Sequence, residues 1–193
     1  MTPMRNLKLQ VQMTVDGYIA GPKGEMDFFT WNWGDDIKKY VGDLVRPIQT
    51  VVLGRKVAEG FIPHWEGVAK DPKHEEYGAG RKFTDCEKVV FSKTLVKSPW
   101  ERTVIAKGDL AQEINTLKRK GDGDLFAYGG SQFVGSLIES DLVDDYYVFI
   151  NPVVAGKGMP IFDRLKATRQ LEVVETKPFS CGIVMVHYRV VRA

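Results

Sequence analysis

The sequence has few of the residues that mark disulfide-bonded or metal-binding proteins. Its two cysteines, Cys86 and Cys181, lie far apart and lack the close spacing of a zinc site. Of the three histidines, His64 and His74 have no second ligand at metal spacing. We therefore expect two reduced thiols and no metal site.

Long apolar runs are also missing. No stretch reaches the roughly 20 apolar residues that span a bilayer, and the first ten residues, MTPMRNLKLQ, lack the apolar core and cleavage site of a secretory signal. The net charge of +2 is too small to indicate a nucleic acid or a membrane as partner. These absences predict a cytoplasmic protein.

Two common nucleotide-binding motifs do not occur. The chain has no G-x-G-x-x-G, the fingerprint of the Rossmann fold, and no G-x-x-x-x-G-K-[ST], the P-loop. Both absences argue against the corresponding classes of protein.

The patterns that are present predict an α/β fold. The length of 193 residues suits one domain, 1–193, and is rather short for two. Residues Leu7 to Val15 alternate between apolar and polar side chains, which is the period of a strand. About eight strands and three or four helices are predicted, mixed at first and with strands alone at the end. This order favours a mixed sheet flanked by helices, with antiparallel closing strands.

Two parts of the chain are expected to face solvent. Residues 63–82 mix glycine, proline and charged residues, which favours a long surface loop. His187 lies in the alternating segment 183–191 and is expected to be an outward member of that strand.

A glycine pair, Gly129 and Gly130, joins a short apolar strand to an amphipathic helix. Glycines let the chain turn sharply and let a ligand come close to the main chain. The N–H groups of Ser131, Gln132 and Phe133 would be free donors at the positive end of the helix. Such donors bind phosphate, although a glycine pair is equally common as a tight connection.

Two other predicted strands end in residues suited to phosphate. Gly54, Arg55 and Lys56 follow one strand, and Ser92 and Lys93 follow another. Since ligands of open α/β sheets gather at the carboxyl ends of strands, we expect all three strand ends to face one crevice. Three spaced anion sites, two of them with cations, favour NADP over NAD. The alternative for the first of these two segments is a solvated basic turn.

Acidic and aromatic residues follow the first strand. The carboxylate of Asp16 lies at a predicted bend, where it either points into a cleft or holds nearby N–H groups of the turn. The loop from Lys23 to Gly34 either fills the edge of the core or forms the wall of a pocket for a flat ring. Around Asp27 this loop carries four aromatic residues, which are Phe28, Phe29, Trp31 and Trp33.

Five motifs follow one another from the first strand toward the end of the chain. They are Thr14-Val15-Asp16-Gly17-Tyr18-Ile19-Ala20, Leu53-Gly54-Arg55-Lys56, Val90-Phe91-Ser92-Lys93-Thr94-Leu95, Tyr128-Gly129-Gly130-Ser131 and Asn151-Pro152-Val153-Val154 with Gly156-Lys157-Gly158-Met159-Pro160-Ile161-Phe162. In the order and spacing of these motifs, the sequence resembles the reductase domain of bacterial riboflavin biosynthesis, which shares the fold of dihydrofolate reductase. The resemblance extends from Leu7 to about Tyr188.

The resemblance implies a three-layer α/β/α fold, NADPH as hydride donor and a pyrimidine or pterin-like small molecule as acceptor. The implied cofactor residues are Gly54, Arg55 and Lys56 for phosphates, Ser92 and Lys93 for the adenosine end, Gly129, Gly130, Ser131, Gln132 and Phe133 for the pyrophosphate, and Ile19 and Ala20 for the nicotinamide.

Reduction of a heterocycle also needs a proton. The resemblance places Asp16 near the reacting ring on the substrate side, which makes it the first candidate for the donor. Asp27 and Asp36 are the alternatives, the second from the start of the first helix, if burial among the aromatic residues raises the pKa.

The predicted function is NADPH-dependent reduction of a phosphoribosylamino-pyrimidine or a related heterocycle. Dihydrofolate reduction is the nearest alternative, and a nucleotide-binding protein without turnover is another. Val57 stands where relatives often have a threonine that donates to phosphate, and no zinc-binding deaminase motif accompanies the reductase motifs. The apolar strands 144–150 and 183–191 offer edges for a homodimer.

Overall fold

The structure, a computed structural model, describes residues 4–192. The other residues of the predicted domain 1–193, including the first three of the N-terminal segment, lie outside the described residues. The strands are β1 (Leu7–Thr14), β2 (Ile48–Gly54), β3 (Glu87–Phe91), β4 (Thr103–Ala106), β5 (Asp124–Tyr128), β6 (Asp145–Asn151), β7 (Leu171–Pro178) and β8 (Val184–Val190). The helices are α1 (Asp35–Val45), α2 (Arg55–Val68), α3 (Tyr77–Asp85), α4 (Leu110–Lys118) and α5 (Ser131–Glu139).

The eight strands form one sheet in the order β4-β3-β2-β5-β1-β6-β8-β7. Every neighbouring pair from β4 to β6 is parallel, whereas β8 is antiparallel to both β6 and β7. The predicted mixed sheet, mostly parallel with antiparallel C-terminal strands, is therefore confirmed.

Helices cover both faces of the sheet. One buried cluster joins Leu9 and Leu125 to residues of α4 and α5. A second cluster joins Val51 and Phe126 to residues of α1, α2 and α3. The three layers implied by the resemblance are therefore present, and apolar side chains fill both spaces between sheet and helices.

The first strand, β1, has buried side chains on both of its faces, including polar ones. The apolar residues of β1 pack with α4 and α5, as their alternation predicted. Gln10 and Thr14, on the opposite face, are nevertheless only 5% and 1% exposed. The second helix layer covers that face, because parallel sheets are enclosed on both sides.

The connections change direction between β2 and β5, which are neighbours in the sheet. From β2 the chain passes through α2 and α3 to β3 on one side, and from β5 it passes through α5 to β6 on the other. Right-handed crossovers in opposite directions place α2 and α5 on opposite faces. Such a reversal opens a crevice at the carboxyl ends of the strands.

The predicted surface loop at 63–82 is wrong. Helix α2 continues through Pro63 to Val68, and α3 begins at Tyr77. Ala58, Ile62 and Val68 are buried at helical spacing in α2, and their packing outweighs the roughly 3 kcal/mol that an interior proline costs.

The prediction that His187 points outward is also wrong. The residue is 6% exposed, and its Nε2 lies 2.8 Å from Oδ1 of Asp145, while its ring stacks on Tyr147 at 4.1 Å. Strand β8 lies between β6 and β7, so both of its edges are paired. A buried carboxylate then provides the polar partner that a buried imidazole requires.

Candidate cofactor and substrate site

The three predicted phosphate-binding segments meet at one edge of the sheet. Gly54 is in register with Phe91 across β2 and β3, and Leu53 is in register with Tyr128 across β2 and β5. Gly54, Ser92 and Gly129 therefore follow three adjacent parallel strands at their carboxyl ends. The structure brings these segments together as the sequence predicted.

Phe133 connects two of the strand ends. A Cβ atom added to Gly129 would lie 2.6 Å from Cδ1 of Phe133, and one added to Gly54 would lie 3.0 Å from its Cβ. The ring of Phe133 also packs against Phe91, with 5.5 Å between ring centroids. Gly129 is thus required for close packing, whereas a Cβ on Gly130 would meet no atom within 4 Å. The open side of the turn is at Gly130.

Helices α2 and α5 begin in the crevice without side-chain caps. Gly54 and Gly130 are their N-cap residues, and neither helix has a side-chain cap hydrogen bond. Helix α4 differs, because the side chain of Asp109 accepts a 3.0 Å bond from the Gln112 N–H. The first-turn N–H groups of α2 and α5 are therefore available, at the positive ends of two helix dipoles, to an anion.

Cations border these helix ends. Lys56 and Lys93 are exposed, and Arg55 is half-buried with its Nη1 2.6 Å from Oε1 of Glu59. The hydroxyl of Ser92 accepts bonds from the Thr94 and Leu95 N–H groups at 3.2 and 3.0 Å and so shapes the bend after β3. The charges and N–H donors of this edge fit a ligand with several phosphates.

A notch opens beside β1 because β5 ends early. Strand β1 pairs with β5 from Leu7 to Leu9 only, but with β6 up to the register of Thr14 and Asn151. At Gly129 the chain has turned away from the sheet, so the last residues of β1 have a strand on one side only. The space on the other side adjoins the helix N-termini and suits a flat ring.

Ile19 and Ala20 lie on the loop that follows β1. They are 8% and 7% exposed, and their main chain bonds to Met159 at 3.0 and 2.8 Å. Asp16 joins the same two loops, since its carboxylate accepts bonds from the Ala155 and Gly156 N–H groups at 3.0 and 2.7 Å. The β1–α1 loop is therefore fastened to the loop after β6.

The environments of Asp16 and Asp36 do not favour proton donation. Hydrogen bonds from the Thr14 side chain and then from the main chain lower the pKa of the exposed Asp16. The pKa of Asp36, also exposed, is lowered first by the Ser180 N–H, 2.7 Å from its Oδ2. A proton donor at neutral pH needs a raised pKa. The donor role predicted for Asp16 and Asp36 therefore stays a prediction, and the hydrogen bonds of both residues argue against it.

Asp27 is exposed on the turn between Met26 and Phe29. The aromatic residues around it divide between two tasks. Phe29 is buried and Trp33 stacks near Phe149 at 6.5 Å, so part of the loop fills the edge of the core. Trp31 is 51% exposed and leaves an aromatic face open.

Several buried polar side chains beside the notch, which bond to each other, were not predicted from the sequence. Tyr128 Oη donates to Oε1 of Gln10 at 2.8 Å, and Nδ2 of Asn151 donates to Oε1 of Gln12 at 2.9 Å. The Thr30 N–H donates to Oδ1 of Asn151 at 3.0 Å. The available signal was the polar face of β1, which an enclosed parallel sheet does not leave to solvent.

A surface groove of about 890 Å³ lies away from this site. It is formed by the end of α5, the segment before β7 and the C-terminal residues. Its charges pair with each other, since both Arg169 and Arg192 form ion pairs with Asp141. The volume of this groove is therefore no evidence that the cofactor and substrate site lies there.

The sheet order, the reversal between β2 and β5 and the uncapped helix ends define the fold class of dihydrofolate reductase. Dihydrofolate reductase from Enterococcus faecalis, crystallised with NADP(H), superposes with a TM-score of 0.63 at 20% identity over 97% of both chains. A putative riboflavin biosynthesis protein from Shewanella sp. PV-4 has a TM-score of 0.73 at 19% identity, over 97% of this chain and 99% of that one.

The chain belongs to the RibD C-terminal domain family, whose model matches residues 5–185. Its relative in Bacillus subtilis (strain 168), the uncharacterized protein YyaP, is 31% identical over 187 residues, which cover 95% of this chain and 94% of YyaP.

Within residues 4–192, no helix is long and apolar enough to cross a bilayer. No three or more histidine, cysteine or acidic residues come together as a metal site in that range.

Proposed function

We propose that the protein is an NADPH-dependent reductase of a small pyrimidine-type heterocycle, similar to 5-amino-6-(5-phosphoribosylamino)uracil reductase, and that residues 1–193 form one such domain. The observation that carries this proposal is the pair of uncapped helix N-termini, at Gly54 and Gly130, beside the notch of β1. Membership of the RibD C-terminal domain family supports it.

The crevice fits NADPH by the chemistry of its donors. Arg55, Lys56 and Lys93 provide cations, and the first turns of α2 and α5 provide N–H groups without side-chain caps. We assign phosphates of the cofactor to Gly54, Arg55 and Lys56, its adenosine end to Ser92 and Lys93, and its pyrophosphate to residues 129–133. When bound, NADPH supplies a hydride.

The residues around the notch orient the reactants and exclude water. Ile19 and Ala20 provide buried apolar surface, and their main-chain bonds to Met159 keep that surface in place. Trp31 provides an open aromatic face for the heterocycle. Holding the two flat rings against each other lowers the free-energy barrier to hydride transfer by several kcal/mol. Ideal orientation of two reactants is worth about 7–11 kcal/mol.

Asp27 is the proposed proton donor among the three predicted carboxylates. Both oxygens of Asp16 and both oxygens of Asp36 already accept hydrogen bonds. Asp27 forms no side-chain hydrogen bond within the part of the chain that the structure describes, and its loop bonds to Asn151, at the end of β6, through the Thr30 N–H. Its exposed carboxylate is therefore free to reach a substrate, and a substrate bound over it would supply the burial that the donor role requires.

The test is the loss of NADPH absorbance with each candidate substrate. We expect turnover with 5-amino-6-(5-phosphoribosylamino)uracil, and slower or no turnover with dihydrofolate. Faster turnover of dihydrofolate would favour a pterin reductase, and tight NADPH binding without turnover of either would favour a nucleotide-binding protein. NADH binding as tight as NADPH binding would contradict the assignment of Arg55, Lys56 and Lys93 to a 2′-phosphate.

Variants of the carboxylates separate their roles. Asp27→Asn should lower kcat at least tenfold with little change in KM, as expected for a lost proton donor. Asp16→Asn, which weakens a loop contact, should mainly raise KM. The reverse pattern would return the proton donor to Asp16.

We also propose that the protein is a cytoplasmic homodimer. The strands 144–150 and 183–191, predicted to offer free edges, are paired on both sides as β6 and β8, so the free edge at this end of the sheet is β7 instead. Residues 171–176 of β7 are exposed on both faces, and the exposed side chains include Val173 at 60%, Val174 at 45% and Val184 of β8 at 39%. An apolar strand at the edge of a sheet pairs readily with another copy. Cys86, which is buried, and Cys181, which is half-buried, are free thiols, as a reducing compartment permits.

A further inference from the structure

Gln12 has a buried donor without a partner. Its Nε2 has no hydrogen bond, and within residues 4–192 the only other buried side-chain atom of this kind is Oγ1 of Thr84, on α3. Buried polar groups in folded proteins are almost always paired, so each exception requires an explanation. For Gln12 the explanation lies in its position beside the notch.

The orientation of the Gln12 amide follows from its neighbours. The Thr30 N–H can only donate, so the atom of Asn151 facing it, at 3.0 Å, is the oxygen. The nitrogen of Asn151 then faces Oε1 of Gln12 at 2.9 Å and the carbonyl of Phe149 at 3.2 Å. Because the oxygen of Gln12 is fixed in this way, the unpaired atom is its nitrogen, and the assignment does not depend on a choice of amide flip.

The same residue stands at the open part of β1. Gln12 is in register with Phe149 of β6, three residues beyond Leu9, the last residue of β1 that pairs with β5. It is half-buried, so solvent reaches part of the residue although Nε2 itself is covered. Trp33, stacked near Phe149, covers this face of the sheet from the aromatic loop. Gln12 therefore lies on the part of β1 that has no β5 neighbour, which is the part that borders the notch.

We propose that Gln12 determines which heterocycle the protein accepts, by donating from Nε2 to a ring carbonyl of the substrate. Asn151 is a positioning residue, because it holds the amide with the nitrogen toward the notch. The inference rests on the proposed function and deepens it, since it names the substrate class as heterocycles that present an acceptor at this position.

The proposal predicts a preference for oxo over amino heterocycles. An amino group at the same position would place a donor against a donor, and the amino group would lose its bonds to water without replacement. Sites built to hydrogen-bond one substrate reject an analogue without the matching group more strongly than apolar pockets do.

The test measures binding of two matched pyrimidines to the complex of the full protein with NADPH. The probes are 5,6-diaminouracil, with two ring carbonyls, and 2,4,5,6-tetraaminopyrimidine, in which amino groups replace them. The variants are Gln12→Glu, which replaces the donor by an acceptor of nearly the same shape, and Gln12→Met, which removes the donor. The matched control is Gln49→Glu, an exposed position at the opposite end of the sheet.

We expect the wild type and Gln49→Glu to bind diaminouracil at least about tenfold more tightly than tetraaminopyrimidine. Gln12→Met should lose most of this ratio, and Gln12→Glu should reverse it, while NADPH affinity stays within about twofold in all variants. Asn151→Asp offers a test of positioning. Its carboxylate accepts from Nε2, which turns the amide so that Oε1 faces the notch and shifts the ratio in the same direction as Gln12→Glu.

Each outcome decides between the inference and the proposed function. An unchanged ratio in Gln12→Glu, in a folded protein that binds NADPH, would overturn the role of Gln12 and leave the reductase proposal in place. A wild type that binds NADPH but neither pyrimidine would overturn the substrate class. A wild type that does not bind NADPH would overturn the proposed function itself. If Asn151→Asp fails to fold, the two Gln12 variants still decide the question.

Discussion

At the scale of single residues, the two glycines between β5 and α5 have different tasks. Gly129 allows the ring of Phe133 to pack within 2.6 Å of where a Cβ would lie, while Gly130 faces open space. The sequence predicted the glycine pair as a phosphate site but gave no means to separate packing from ligand approach. That separation depends on the position of Phe133, a contact that only the folded chain supplies.

The pair gives a matched prediction. Gly129→Ala should lower the free energy of unfolding by about 1–3 kcal/mol, because the added methyl group overpacks against Phe133. Gly130→Ala should leave stability within about 1 kcal/mol, because its extended conformation, φ −73° and ψ 171°, suits alanine. Chemical denaturation measures the first effect.

Gly130→Ala should weaken NADPH binding at least tenfold, and titration with NADPH measures that effect. In Gly130→Ala the added methyl group stands where the phosphate approaches the main chain. A stable Gly130→Ala protein with the NADPH affinity of the wild type would show that no phosphate approaches there.

Asp16 and Asp36 give a prediction about acid stability. Hydrogen bonds from Thr14 and from the Ser180 main chain, respectively, lower the pKa of these carboxyls from the ordinary value of 3.8. The unfolded chain therefore binds these protons at higher pH than the folded chain. The stability that they contribute is present above about pH 3.8 and is lost as pH falls through the lowered folded pKa.

The double variant Asp16→Asn with Asp36→Asn measures this contribution. Between neutral pH and pH 3, the free energy of unfolding of the variant should fall less steeply than that of the wild type, as followed by urea denaturation at each pH. Equal slopes would mean that the hydrogen bonds do not favour the charged carboxylates in the folded state.

At the scale of elements, strands were easier to predict than the second helix. Strands β3 (Glu87–Phe91) and β4 (Thr103–Ala106) are short apolar runs between turns, which carry their own signal for a strand. In α2, Pro63 and nearby glycines masked a helical stripe of Ala58, Ile62 and Val68. Whether that stripe outweighs a proline depends on packing against the sheet, which is tertiary information.

Pro63 is therefore a stabilisation target. It is exposed in the interior of α2, where it lacks the N–H that would bond to the Glu59 carbonyl. Pro63→Ala should raise the free energy of unfolding by about 1–3 kcal/mol, as measured by chemical denaturation. A less stable variant would indicate that the bend imposed by proline is part of the packing of α2.

At the scale of the whole molecule, the predicted crevice follows from topology. The sequence showed three strands that end in glycines, hydroxyls and cations, and parallel strands place such ends at one edge. The notch could not be predicted, because it depends on β1 pairing further along β6 than along β5. The buried amides of Gln12 and Asn151 were missed for the related reason that a polar strand face suggests solvent.

The proposed homodimer is a property of the same scale. Val173→Lys places a charge on the exposed edge strand β7, where Val173 is 60% exposed, and should convert a dimer into a monomer with little loss of stability. Sedimentation equilibrium measures the mass of each protein. Lys70→Ala, an exposed position remote from that edge, is the control. A wild type that sediments as a monomer would contradict the dimer.

A crystal structure of the protein grown with NADPH tests the central claim most directly. Density for the phosphates of the cofactor should lie against the first-turn N–H groups of α2 and α5, at Gly54 and Gly130, with the nicotinamide in the notch beside Ile19. Cofactor density at any other place, such as the groove between Arg169 and Arg192, would contradict the account.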